Sequence, residues 1–150
     1  PTGKLIREFR SGVFPGLIST PVAQVQSQLQ APRYNAARTA FEKATNFLSG
    51  DDRDLENAVK EASGAVESLG KTVLDLGEGA SLTDVKDRLL ESGRLDRPLD
   101  KAFDALYGFR SSQPAVAHGG KQPPDVEVGE AQFALNMAAS IALLLLELDQ

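Results

Sequence analysis

The segment LENAVKEASGAVESLGKTVLDL, residues 55–76, decides the fold of this chain. Apolar residues recur along it at steps of four and three, the spacing that places side chains on one face of an α-helix. These residues are Leu55, Val59, Ala62, Val66, Leu69, Val73 and Leu76. Because such a stripe must be buried against other elements, the pattern predicts a long core helix. Gly77 and Gly79 are expected to end it.

Five other segments carry helix signals. Ser81 and Asp84 have the spacing of a capping box, in which a hydroxyl and a carboxylate satisfy free amide groups at a helix start. No segment alternates with the period of two that marks a strand. The fold class is therefore all-α, a bundle of five or six helices. The other predicted helices are 21–30, 34–48, 81–92, 96–110 and 129–148. In the helix 96–110, the residues expected to share one face are Leu99, Phe103, Leu106 and Arg110.

Size and composition fit a single core. The chain has 150 residues, of which 41% are hydrophobic and 25% charged, within the ordinary globular range. We divide it into an N-terminal arm with a short helix, residues 1–33, and a main helical domain, residues 34–150. The absence of cysteine excludes disulfides, thiol catalysis and thiolate metal sites, and a reducing, cytoplasmic location fits best. No secretory leader can be read at Pro1, and the rest of a longer polypeptide is an expected partner.

The most apolar segment is 131–146, with 16 residues. A bilayer span takes about 20 mostly apolar residues, so we expect a buried helix and no membrane association. Its polar residues Gln132, Asn136 and Ser140 recur every four positions and fall on one face. That face could line a dimer seam or a small polar cavity. Because the segment is more apolar than a single buried face requires, we expect a homodimer.

The net charge of −5 and pI near 4.9 oppose binding to nucleic acid or to anionic membranes. Any contact with RNA must therefore use a local basic patch.

Glu67 and Lys71 form an acid–base pair at i and i+4 in the core helix. The ordinary role of such a pair is a few tenths of a kcal/mol of helix support. Since Glu67 neighbours the buried-stripe residue Val66, the pair could also lie at the edge of a site between helices.

A second set of candidate residues lies around the loop after residue 110. Two roles are open for Arg110. Its positive charge is favoured at the C-terminus of a helix, where it would act as a cap, and its guanidinium group is also suited to binding a phosphate. His118, the only histidine, is an apt proton carrier near neutral pH. Gly119, Gly120 and Lys121 are candidates for binding RNA or phosphate. A single histidine without spaced carboxylates predicts no metal site, and no cofactor-binding motif is present.

Several segments, in order, resemble the HEPN-like C-terminal domain of bacterial abortive-infection proteins. They are 34–48, 54–71, 99–110, the pair His118-Gly119, and 130–136. Together they cover most of the chain from Tyr34 onward.

The resemblance implies a dimeric helical bundle of a phage-defence or toxin-like protein. It also implies metal-independent endoribonuclease or RNA-binding activity, with Arg110 and His118 as the catalytic pair. Seven residues separate these two, and Ala117 precedes the His-Gly pair where relatives commonly have arginine. The alternative is a non-catalytic helical domain for dimerisation or interaction, and a weaker third is a nucleotide-sensing module.

Overall fold

The computed structural model describes residues 20–111 and 126–150, and these form six α-helices with no strand. The prediction of an all-α bundle of five or six helices is confirmed. A single 3-10 turn, Pro32–Tyr34, joins the first two helices. The helices are α1 Thr20–Gln28, α2 Asn35–Ser49, α3 Leu55–Val73, α4 Leu82–Glu91, α5 Asp100–Ser111 and α6 Val128–Leu148.

The core is built around α3 and α6, which pack along each other. Helix α3 also contacts α2, α4 and α5, while α6 also contacts α1, α2 and α5. The predicted stripe is confirmed over Val59, Ala62, Val66 and Leu69, all with no exposed surface. Val25 of helix α1 and Leu29, which directly follows this helix, belong to the same core.

Helix α3 ends earlier than predicted, at Val73 rather than at Gly77. The reversal is made by Asp75, which has a positive φ of 53°. The amide of Leu76 donates to the carbonyl of Lys71 at 2.9 Å, and that of Asp75 donates to Thr72 at 3.4 Å. This is the Schellman arrangement, which usually has glycine in the left-handed position. Helix α4 ends with the same motif, there on Gly93 at φ 70°, as the sequence predicts.

The start of α5 differs from the prediction. Pro98 disfavours the helical conformation at Arg97, and the helix begins only at Asp100, whose carboxylate is buried and pairs with Arg97 at 3.2 Å. Leu99 therefore precedes the helix and is 58% exposed, although we expected it on the helix face that carries Phe103 and Leu106. Phe103 and Leu106 are buried as predicted.

The end of α6 is tied to the start of α2. Arg33 contacts the Asp149 carboxylate at 3.3 Å, and the Tyr34 hydroxyl donates a hydrogen bond to the same group. That hydrogen bond raises the pKa of Tyr34. The end of α6 is thereby joined to the start of α2.

Helix α6 is long and apolar enough to cross a membrane by length and composition alone, and no other described helix is. About half of its apolar window is buried by the bundle. Its contacts with four other helices account for much of its apolar character.

Helices α3 and α4 approach closely at Gly70. A Cβ atom built there would lie 2.5 Å from the Cγ1 atom of Val85, well inside contact distance. Gly64, in the same helix, is in the opposite situation, because a Cβ there would meet no atom within 4 Å.

Gly70→Ala is therefore expected to lower the free energy of unfolding by about 1–3 kcal/mol, the usual cost of overpacking. Gly64→Ala, the matched control, should raise it by about 0.5–1 kcal/mol because glycine is a poor helix former. Urea denaturation monitored by circular dichroism measures both. If both variants changed the free energy of unfolding equally and in the same direction, α3 and α4 would not be in close contact at Gly70.

Candidate functional site

Arg110 lies at the C-terminal end of α5 and contacts Glu67 of α3. Its Nη1 atom is 3.7 Å from Oε2 of Glu67, and the two side chains are 30% and 23% exposed. The predicted pair is also present, since Nζ of Lys71 lies 3.3 Å from Oε1 of Glu67. Glu67 thus stands between two cations.

The same carboxylate reaches the N-terminus of α4. The amide of Leu82, the first residue of that helix, donates to Oε2 of Glu67 at 3.2 Å. Free amides and the helix dipole favour a negative charge at this position. Lys71 in turn donates to the carbonyl of Glu78 at 2.8 Å. One side chain therefore connects α3, α4 and α5.

A polar cavity of about 440 Å³ opens beside this cluster. Its wall includes Gly64 and the small residue Ala36, which leave its mouth open. Its charged lining residues are Arg33, Glu67, Lys71, Asp75 and Glu78. Because two cations and three carboxylates line this cavity, its charge does not favour binding of a polyanion.

Of the predicted catalytic and binding residues, only Arg110 lies in the described part of the chain. His118, Gly119, Gly120 and Lys121 lie outside it. The pairing of Arg110 with His118 therefore stays a prediction.

An acidic cavity lies at the start of α3. It is lined by Asp52, Asp54 and Glu56, and Oε1 of Glu56 is buried without a hydrogen-bond partner. Asp54 is engaged as the helix cap, accepting from the backbone and side chain of Asn57 at 3.1 and 2.6 Å. Within residues 20–111 and 126–150, no group of acidic or histidine side chains is arranged to hold a metal ion.

The second prominent surface is a groove between α5 and α6, which run antiparallel. Two cavities follow one another along it and share Met137. The larger, about 470 Å³, is lined by Ala105, Phe109, Gly129, Glu130, Phe133 and Met137. The smaller, about 200 Å³, extends past Ser140 and Leu144 toward Leu99.

This groove, called here the α5–α6 groove, carries two exposed large apolar side chains. Phe133 in its wall is 68% exposed, and Leu99 at the other end is 58% exposed. Sequence reasoning did not identify it. The sequence does carry a signal for it. Positions 129, 133, 137, 140 and 144 of α6 follow one another at steps of three or four residues and so share a helix face, which lies beside the face that packs on the core. Of the predicted polar face, Ser140 lines the groove, while Gln132 donates to Asn136 at 3.0 Å.

No family model matches this chain, and comparisons with curated proteins and with solved structures also give no match. Its function is therefore argued from the geometry of the two surfaces.

The role of Glu67 can be tested through stability. Glu67→Ala leaves the Leu82 amide without its acceptor and places Lys71 and Arg110 close together uncompensated, so the free energy of unfolding should fall by about 1–3 kcal/mol. Glu67→Gln keeps an acceptor oxygen and should cost less. Glu61→Ala, on the same helix but with no ion pair to the described residues, should change stability by about 0.5 kcal/mol or less. Equal effects of Glu67→Ala and Glu61→Ala in thermal denaturation would contradict the three-helix role.

Proposed function

We propose that this chain is an interaction domain that self-associates through the α5–α6 groove. The observation that carries the proposal is the exposure of Phe133, 68%, at the wall of a cavity of about 470 Å³. An aromatic ring held in water beside an open apolar cavity is characteristic of a docking surface.

A second copy of the chain is the occupant that the groove fits. The groove combines a protruding ring with a cavity of about 470 Å³, so two copies can each supply what the other needs. Glu130 lies in the lining of the larger cavity at the start of α6, and between Ala131 and Leu146 the helix carries no charged residue that would have to be desolvated. Burying one exposed phenylalanine contributes about 1.5–3 kcal/mol, and a symmetric contact gains this twice.

The regular stripe of α3 does not contribute to this surface. Val59, Ala62, Val66 and Leu69 are fully buried inside the bundle, so the regularity of α3 is explained without a partner. The support for self-association comes from α6 and α5 alone.

Phe133→Asp is expected to abolish self-association, because it puts a charge at the centre of the contact. Sedimentation equilibrium should show the wild type rising above 16.0 kDa with concentration and Phe133→Asp remaining at 16.0 kDa. Tyr107→Asp is the matched control, because Tyr107 is also an exposed aromatic, at 44%, but lines neither cavity. A wild type that stays at 16.0 kDa up to about 100 μM, or a Phe133→Asp variant that associates normally, would reject the proposal.

A second candidate function is metal-independent RNA cleavage by a HEPN-like domain. The observation that favours it is Arg110, which is 30% exposed and shares its Glu67 partner with the polar cavity. In this reaction, His118 would accept the proton of a 2′-hydroxyl as its oxygen attacks the adjacent phosphorus. The bond to the 5′-oxygen breaks, that oxygen takes a proton, and a 2′,3′-cyclic phosphate remains. Arg110 would stabilise the negative charge that develops on the non-bridging oxygens of the phosphoryl group.

For this candidate, purified protein should cut mixed RNA equally with and without EDTA. His118→Ala should abolish cleavage, and Arg110→Lys should reduce it strongly because an ammonium cannot reproduce a bidentate contact. Glu67→Gln should increase RNA binding, since it removes the carboxylate that competes for Arg110. Equal cleavage by wild type and His118→Ala would assign the activity to a contaminant, and no cleavage by either would reject this function.

A further inference from the structure

We infer that the two copies are related by a two-fold axis that runs along the α5–α6 groove, so that α6 of each copy packs over α5 of the other. This inference rests on the self-association proposed above. It specifies which helices meet, which is a separate question from whether the copies associate.

Such a groove has two limiting symmetric arrangements, with the axis across it or along it. When two equal surfaces face each other, the two-fold axis lies in the plane of contact. An axis across the groove would place α6 against α6 of the partner subunit, with the ends exchanged. An axis along the groove places α6 over α5 of the partner subunit and keeps every residue at its own level.

The sizes of the two cavities favour the axis along the groove. Phe133 lies at the level of the larger cavity, about 470 Å³, whose opposite wall is formed by Ala105 and Phe109 of α5. With the axis along the groove, Phe133 faces this same cavity in the partner subunit. With the axis across it, the exposed ring would face the cavity of about 200 Å³ instead.

The charges favour the same arrangement independently. The only charged residues of α6 are Glu130 and Glu147, near its two ends. An axis across the groove would bring these carboxylates near each other between copies. An axis along it brings Glu147 to the level of Lys101 and Arg97 of the partner subunit. These cations contact Asp104 and Asp100 of their own subunit at 4.0 and 3.2 Å, and their side chains remain 71% and 73% exposed. Opposite charges at the rim of an interface set its register.

The levels follow from the antiparallel packing of α5 and α6. The smaller cavity joins Leu99 and Ala102 to Ile141 and Leu144, so Lys101 lies near the end of α6 that carries Glu147. Gly129 lies in the larger cavity at the opposite end. Residues at these three positions can therefore report which axis is present.

The absence of cysteine permits a direct cross-linking test with three single-cysteine variants, Lys101→Cys, Glu147→Cys and Gly129→Cys. A side chain at Gly129 meets no atom within 4 Å, and the Lys101 and Glu147 side chains are on the surface. Mixed in pairs and treated with a short thiol-specific cross-linker, Glu147→Cys should join to Lys101→Cys and not to Gly129→Cys. Circular dichroism checks that each variant is folded.

The outcomes separate this inference from the proposal on which it rests. Cross-linking of Glu147→Cys to Gly129→Cys, or no cross-link in any pair while sedimentation still shows a dimer, overturns the inference and leaves self-association standing. A wild type that remains monomeric overturns both.

A charge exchange provides a second readout. Glu147→Lys alone and Lys101→Glu alone should each raise the dissociation constant about threefold to tenfold, since each places like charges together twice per dimer. The double variant should return to the wild-type value, because the pair is restored with its signs exchanged. Additive losses in the double variant would overturn the inference.

Discussion

The rest of the structure depends on the burial of the α3 stripe against α2 and α6. Val59, Val66 and Leu69 have no exposed surface, and Gly70 lets α4 approach until its Val85 lies where a side chain of α3 would be. A core helix covered on this many sides fixes the positions of its neighbours. It also places Glu67, one residue beyond Val66 in the chain, at the point where α3, α4 and α5 meet. The charged cluster is thus a consequence of the packing of the stripe.

The helices could be predicted from the sequence because period, capping box and glycine are local signals. The capping box of Ser81 and Asp84 and the end of α4 at Gly93 are found where they were predicted. The predicted end of α3 and the predicted start of α5 were wrong because two local signals compete at each of these boundaries. Asp75 takes the left-handed position before Gly77 is reached, and Pro98 moves the start of α5 past Leu99.

The candidate sites were predicted less completely, for a related reason. The pair Glu67 and Lys71 is separated by one helical turn and is visible in the sequence, whereas the contact of Glu67 with Arg110 depends on how α3 and α5 pack. Similarly, a single helix pattern cannot tell whether a second apolar face meets another helix or water. Leu99 was expected on one helix face with Phe103 and Leu106, and Phe133 was one apolar residue among many in its segment, yet both are exposed along the α5–α6 groove.

The charged cluster around Glu67 and the α5–α6 groove differ in whether their side chains already have partners. At the charged cluster, Arg110 and Lys71 both have Glu67 as counter-ion, and the Leu82 amide is bonded to the same group, so a phosphate would have to displace an existing partner. The net charge of −5 adds to that cost. At the groove, a ring that is 68% exposed lies beside an open apolar cavity, and covering it releases water without breaking any contact. Binding of a phosphate at Arg110 therefore requires an existing ion pair to be broken, whereas binding at the groove does not, and this difference favours the proposed self-association over the proposed RNA cleavage.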